Sequence, residues 1–220
     1  MYPLYTPYKN QALSITENIS FFVMHLDCHL TWKLYLDNLV KELNLISFML
    51  RKLLPIINVN MLWMVYLAHF HSLISYGIIF WSSSSSMRNV LIIKKRAIRI
   101  MLSLGPRSSC REGFKQLDIL TVPCLYIYAL TLFTVKNPNI YQTNASVHGR
   151  NTRQLNTMHK LSVRLSSLQR GGYYSSVTIF NQLLQTIIKF HNNIHIFKTL
   201  LRNYHVIPMR NFFLLITIVS

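Results

Sequence analysis

The stretch MLWMVYLAHFHSLISYGIIFW, residues 61–81, carries no formal charge, and what it packs against decides the fold. Projected at about 100° per residue, it gathers most of its large apolar side chains on one half of a helix. The other half holds His69, His71, Ser72 and Ser75. A segment surrounded by lipid has little reason to collect its polar groups on one side, so the pattern favours the central helix of a protein core. The same length and apolarity also meet the requirement for a transmembrane helix, which stays the alternative.

The rest of the chain predicts a mainly α-helical protein with a minor β element. Apolar residues recur at helical spacing over residues 32–54, 87–103, 110–117, 123–135, 175–184 and 193–204. Residues 19–26, ISFFVMHL, are rich in aromatic and β-branched side chains and predict a single strand. A lone strand needs a partner, which we expect within residues 1–18 or outside the chain.

Composition divides the chain into four parts. Residues 1–18 form an irregular lead-in, and residues 19–136 form the strand and a helical domain. Residues 137–158 are polar and contain Asn, Pro and Gly, which is typical of a linker. Residues 159–220 predict a small C-terminal α(+β) subdomain, because residues 161–165 alternate apolar and polar side chains as a strand does.

The charge of the chain is strongly positive and unevenly placed. The 23 Lys and Arg residues outnumber the 6 Asp and Glu residues, which gives a formal net charge of +17. Residues 119–220 contain no carboxylate at all. A segment that cannot neutralise itself attracts a polyanion, so the composition predicts nucleic acid or an anionic membrane surface as the partner.

A basic stripe lies on the helix predicted over residues 87–103, MRNVLIIKKRAIRIMLS. Arg88, Lys95 and Arg99 recur at helical spacing there, and Lys94 and Arg96 flank them. Because no Asp or Glu is mixed among these cations, the stripe predicts a phosphate-contacting surface, with an ordinary solvated face as the alternative. The first candidates for nucleic-acid binding are Arg88, Lys94, Lys95, Arg96, Arg99, Arg107 and Arg111. The second candidates are Arg150, Arg153, Lys160, Arg164 and Arg170.

Catalytic and metal-binding motifs are missing from the sequence. It contains no Gly-rich phosphate loop, G-x-S-x-G turn or H-E-x-x-H motif, and its carboxylates are too scattered for a paired acid and base. His25, Cys28 and His29 lie close together but lack the fourth ligand of a zinc site. We therefore predict no catalytic residue, metal or cofactor. Three widely spaced cysteines and the lack of a secretory signal favour the cytoplasm or nucleus.

Several short motifs in a fixed order resemble one known family. The segments are FFVMHLD (21–27) with LTW (30–32), LRKL (50–53), YLAHFHSLISYGIIFW (66–81), KKRAIRIM (94–101), GPRSSCR (105–111), FKQLDILT (114–121), NTR (151–153) and FNQL (180–183). In this order they resemble the region that follows the catalytic palm in reverse transcriptases of non-LTR retrotransposons, particularly jockey-like elements. The first segment is similar to the family's FLGI-x-LD-x-x-L-x-W motif, with Val23 in place of its Gly.

The resemblance implies a helical, thumb-like bundle and a C-terminal extension that hold an RNA or DNA primer–template next to a palm domain. It also implies that two magnesium ions are bound by a Phe/Tyr-x-Asp-Asp turn and an upstream Asp, and this sequence contains neither. We therefore expect a C-terminal fragment of an RNA-directed DNA polymerase that is not an enzyme by itself and binds nucleic acid without sequence preference. The alternatives are a small basic membrane protein spanning at residues 61–81 and a transposon relic without function.

Overall fold

Helices dominate the chain in the computed structural model, which describes residues 7–8, 11–12, 18–149, 157–169, 171–183, 185–191 and 193–206. The first helices are α1 (Lys33–Leu53), α2 (Val59–Val65), α3 (Ser72–Ser75), α4 (Ile78–Trp81), α5 (Met87–Met101), α6 (Arg111–Gln116) and α7 (Val122–Lys136). They are followed by α8 (Asn144–His148), α9 (Ser166–Gln169), α10 (Gly172–Gln182), α11 (Gln185–Ile188) and α12 (Ile194–Val206). A π-helical segment, Tyr66–His71, joins α2 to α3, and a 3-10 turn, Pro138–Ile140, follows α7. The predicted mainly α fold with a minor β element is confirmed.

The β structure consists of two short antiparallel pairs. Strand β1 (Pro7–Tyr8) pairs with β2 (Gln11–Ala12), and β3 (Asn18–Phe21) pairs with β4 (Met24–Asp27). The prediction of one strand over residues 19–26 is wrong, because Phe22 adopts a φ of 53° and reverses the chain in the middle of that segment. The strand therefore finds its partner inside the same segment, with Ile19 opposite Leu26.

The carboxylate of Asp27 organises the start of α1. It accepts hydrogen bonds from the Thr31 backbone N–H (3.0 Å), the Thr31 hydroxyl (2.9 Å) and the Trp32 N–H (3.1 Å). Desolvation is the largest single influence on the pKa of Asp27 and raises it, but the hydrogen bonds from Thr31 and Trp32 together outweigh it and lower the pKa below its ordinary value. Trp32, predicted as the first helical residue, instead precedes α1 with a φ of 62°.

The uncharged stretch over residues 61–81 is not one straight helix. Its core-facing side chains recur every four residues: Leu62, Tyr66, Phe70, Ile74 and Ile78, all buried. In a regular α-helix, positions four apart advance by about 40° around the axis, so this series would rotate away from the core. The π-helical segment at Tyr66–His71 and the break before α4 take up the difference. Of the helices that the structure describes, none has the length and apolarity needed to cross a bilayer.

The helix that is buried on nearly all sides is α7 and not residues 61–81. Thr121 caps α7 by accepting a hydrogen bond from the Cys124 N–H at 3.4 Å, and Pro123 lies in the first turn. Its side chains from Val122 to Ile127 are all buried, as are Leu130, Thr131 and Thr134. Helices α4, α5, α10 and α12 all pack against it, so α7 is the centre of the fold.

A second, smaller apolar cluster rests on the other side of α7. Leu183, Ile187, Phe197 and Leu201 form it, and Tyr128, Leu132 and Val135 of α7 pack against it. The segment 161–165, predicted as a strand, lies in no β pairing; among the described residues from 141 to 169, β pairing is limited to the isolated Thr143–Met158 bridge. The described part of residues 159–220 therefore adds helices, not a sheet, to the helical domain.

Gly77 occupies the break between α3 and α4, where two requirements meet. Its φ is +60°, a left-handed conformation that a Cβ disfavours by about 1–2 kcal/mol. A Cβ at this position would also lie 2.7 Å from the Met24 sulfur. The position of Met24 on strand β4 and the break in the uncharged stretch therefore both favour a residue without a Cβ at position 77.

We predict that Gly77→Ala lowers the free energy of unfolding by about 1–2 kcal/mol through left-handed strain, with a smaller added cost because the flexible Met24 side chain must move away from the new methyl group. Gly149→Ala is the matched control: its φ is +61°, but a Cβ there meets nothing within 4 Å. Urea unfolding followed by circular dichroism measures both variants. Equal losses in the two variants would contradict the proposed contact between Gly77 and Met24.

Candidate nucleic-acid interface

The basic face of α5 lies opposite the side that enters the core. Val90, Ile93, Ala97, Ile98 and Met101 are buried and pack into the main apolar cluster, and α1 packs along the same helix. Arg88, Lys95, Arg96 and Arg99 fall within about 100° of one another on the other side, at 100° per residue. The first three are exposed, and Arg99 is half-buried.

A cleft of about 570 Å³ opens beside this face, between the C-terminal ends of α1 and α5 and the loop that follows α5. Three arginines line it: Arg51 from α1, and Arg96 and Arg99 from α5. The rest of its wall is mostly apolar and comes from Leu54, Ile92, Ile100, Leu104 and Pro106, with Ser103. The structure thus combines three cations with an apolar wall in one concave site.

Hydrogen bonds hold two of the three arginines in place. Arg96 donates from Nη1 to Asn44 Oδ1 of α1 at 3.1 Å, and Arg99 donates from Nε to the Ser108 carbonyl at 3.0 Å. Each guanidinium carries five N–H donors in a fixed fork, so most of them stay available to an acceptor in the cleft. The arrangement suits a phosphate, whose oxygens accept several such donors.

The charge of the cleft is not balanced by nearby carboxylates. In the described part of the chain, ion pairs join Lys115 to Glu112 and Arg202 to Asp118, and none involves a cleft arginine. The C-terminal ends of α1 and α5 each contribute about −0.5 charge from the helix dipole. Against three guanidinium charges this leaves roughly +2, which favours an anion.

Lys94 does not belong to the exposed basic face. The sequence predicts it beside Lys95 on the basic stripe, but its side chain is 0% exposed. At about 100° per residue, position 94 lies within the apolar stripe of α5, between the directions of Ala97 and Ile98. The assignment of Lys94 to a phosphate-contacting surface is therefore wrong, because no phosphate can reach its ammonium group in this structure.

Two other side chains, those of His71 and Tyr66, bury polar atoms as Lys94 does. The Lys94 Nζ, the His71 Nδ1 and the Tyr66 hydroxyl are all buried and have no hydrogen-bond partner among the described residues. Burial lowers the pKa of Lys94 to about 7, although the charge interaction with Cys124 opposes this shift. Burial, followed by the positive charges of Lys94 and Arg202, lowers the pKa of His71 to about 4. A pKa of about 4 keeps His71 neutral at pH 7, whereas a pKa of about 7 divides Lys94 between its charged and neutral forms at that pH.

The other predicted contact residues are scattered. Arg107 and Arg111 are exposed after the cleft loop and at the start of α6, and Arg164 is exposed. The Lys160 ammonium lies 4.6 Å from the centre of the Tyr174 ring, a cation–π contact. The predictions for Arg150, Arg153 and Arg170 concern positions outside the described residues.

Arg51 is the cleft residue that the predicted interface omitted. The sequence places it on the polar face of the helix over residues 32–54, and nothing local distinguishes it from the other cations there. Only the packing of α1 along α5 brings it to Arg96 and Arg99. Among the described residues, no three His, Cys, Asp or Glu side chains are grouped to hold a metal ion.

Comparison with known proteins identifies no relative of this chain. No family model, curated protein or solved structure matches it. We therefore infer the function from the charge, burial and shape of the described residues.

We predict that the free energy of unfolding rises with pH above 7 because of Lys94. Its ordinary pKa of 10.5 applies to the unfolded chain and the value of about 7 to the folded chain. Between these values the unfolded chain binds more protons, so stability rises by up to about 1.4 kcal/mol per pH unit. The raised pKa of Cys124 opposes this trend above its ordinary value of 9.0, so the test covers pH 7 to 9.

Lys94→Met removes this contribution, and Lys95→Met is the exposed control on the next position. Lys94→Met should be more stable than the unmodified chain at pH 7 and lose most of the rise, because a buried unpaired amine is replaced by an apolar side chain of similar length. Urea unfolding at several pH values measures this. If Lys94→Met keeps the full rise, the burial of Lys94 is wrong.

Proposed function

We propose that this chain binds nucleic acid without sequence preference, through the phosphates of the backbone. The observation that carries the proposal is the exposed face of α5, which presents Arg88, Lys95, Arg96 and Arg99 on a helix that contains no Asp or Glu. The opposite face of α5 is fixed in the core, which gives these cations a rigid base. Rigid, uncompensated cations are typical of surfaces that contact phosphates.

Backbone contacts make binding sensitive to salt and insensitive to sequence. Each phosphate that a cation neutralises releases a counterion, so the logarithm of the affinity falls linearly with the logarithm of the salt concentration. Contacts with phosphates carry no base information by themselves. We therefore expect similar affinities for unrelated duplexes of equal length and a steep loss of affinity with salt.

The resemblance to the thumb of retrotransposon reverse transcriptases supports the same class of partner. Under this proposal the chain holds an RNA or DNA primer–template. Nucleotidyl transfer belongs to a palm domain, whose motifs are not among the segments that carry the resemblance. The segment KKRAIRIM (94–101), one of those that carry the resemblance, lies in α5 and supplies three of its four exposed-face cations. We assign no catalytic step to the described residues.

The triple variant Lys95→Ala, Arg96→Ala, Arg99→Ala tests the proposal. We expect it to weaken binding to a labelled duplex by about tenfold or more near physiological salt. The salt slope should fall by about two to three units, because up to three phosphate contacts are lost. Fluorescence anisotropy over a series of salt concentrations measures both quantities, and thermal unfolding shows whether the variant folds.

The control variant removes three exposed lysines that lie on other helices: Lys33, Lys41 and Lys136. It loses the same net charge of three but keeps every cation of α5. Its binding should therefore change far less than that of the triple variant. The proposal is contradicted if the two variants lose affinity and slope equally, or if the unmodified chain shows no salt-dependent binding to any duplex.

A further inference from the structure

We propose that the cleft lined by Arg51, Arg96 and Arg99 binds one unpaired nucleotide, with its phosphate on the arginines and its base against the apolar wall. This inference rests on the proposed nucleic-acid binding and specifies the form of nucleic acid that the cleft selects. The exposed cations of α5 contact phosphates of any strand, whereas the cleft accepts only a nucleotide that is free of the double-helical stack.

The phosphate side of the site is built by two helices. Arg51 comes from the last turn of α1, while Arg96 and Arg99 come from α5 and are fixed through Asn44 and the Ser108 carbonyl. Three guanidinium groups that share one cleft repel one another, and no described carboxylate pairs with them. A bound phosphate would relieve this repulsion and accept the remaining N–H donors.

The apolar side of the site distinguishes a nucleotide from a bare phosphate. Ile92 and Leu104 line the cleft and are 48% and 37% exposed, so large aliphatic surface lies open to solvent next to the arginines. Inorganic phosphate has no apolar face to cover this surface. A base does, because its flat faces are apolar once they are not stacked on neighbouring bases.

The shape of the site favours an unpaired nucleotide over a duplex. A duplex presents phosphates and sugars on a convex surface and keeps the faces of its bases inside the stack. It can therefore contact the rim of the cleft but not its aliphatic wall. The cleft volume of about 570 Å³ lies within the usual range of roughly 300–1,000 Å³ for small-ligand sites.

The preference for single strands should be modest because the contact is aliphatic. Bases stack most strongly on aromatic side chains, and the lining residues of this cleft include no aromatic side chain. We expect the cleft to favour a single strand over a duplex of equal length by about fivefold, which corresponds to roughly 1 kcal/mol.

Making the cleft wall polar tests the inference without changing any charge. Leu104→Asn removes apolar surface from the cleft, and Leu45→Asn makes the same change at an exposed position of α1 outside it. The probes are a labelled thymidine oligonucleotide of about 12 nucleotides and a duplex of equal length. We expect Leu104→Asn to remove the single-strand preference and leave duplex binding unchanged, whereas Leu45→Asn keeps both.

A charge variant tests the phosphate side independently. Arg51→Ala should weaken single-strand binding about fivefold and duplex binding less than twofold, and Lys52→Ala, the adjacent exposed cation, should change neither by more than twofold. Thermal unfolding of each variant confirms that it is folded. Competition of thymidine monophosphate and inorganic phosphate for the labelled strand separates the two parts of the nucleotide: the monophosphate should compete at lower concentration.

The results that overturn the inference differ from those that overturn the proposed function. Equal binding of single strand and duplex by the unmodified chain, an unchanged preference in Leu104→Asn, or equal competition by phosphate and thymidine monophosphate would reject the nucleotide site. Each of these results leaves salt-dependent binding through α5 in place. A lack of salt-dependent binding to both probes would instead reject the proposed function itself.

Discussion

The structure depends on the opposition between the two faces of α5. One face carries Val90, Ala97 and Ile98 into the core, and the other carries cations that have no carboxylate on the same helix to pair with. Removing the apolar stripe from water stabilises the fold by roughly 25 cal/mol per Å² of buried surface, whereas burying unpaired cations is strongly unfavourable. The helix can therefore pack in only one orientation, and that orientation displays the basic face.

Two neighbouring helices support α5 and complete the cleft beside its basic face. Helix α7 is buried on nearly all sides and gives α5, α4 and the C-terminal helices a common support. Helix α1 packs along α5 and ends beside it, so that Arg51 joins Arg96 and Arg99 around one cleft. Lys94 is the exception to the separation of charge and apolar surface. Its buried amine has no hydrogen-bond partner among the described residues, and its lowered pKa reduces the cost by favouring the neutral form.

Much of the helical fold follows from the sequence, because apolar spacing and capping residues are local signals. Asn58 caps α2 by accepting a hydrogen bond from the Met61 N–H at 2.8 Å, and Pro123 lies in the first turn of α7, positions that these residue types favour. The four-residue repeat from Leu62 to Ile78 departs from α-helical spacing, and the prediction of one central helix missed this signal. The position of Lys94 follows from its angle on α5, even though its chemistry suggests the surface. The sequence gives no signal for the hairpin, because its turn at Phe22 and Val23 lacks the Gly, Asn or Asp that usually marks one. The cleft depends on a tertiary contact, since Arg51 resembles any surface cation until α1 meets α5.

The orientation of α5 can be measured directly by acylating lysine amines in the folded chain and locating the modified residues by mass spectrometry, with and without bound duplex. We expect Lys95 to react and to be protected by duplex, while the adjacent Lys94 does not react in either case. Equal reaction of Lys94 and Lys95 in the folded chain would contradict this orientation of α5, and a Lys95 that reacts as fast with saturating duplex as without it would contradict the role of α5 in binding.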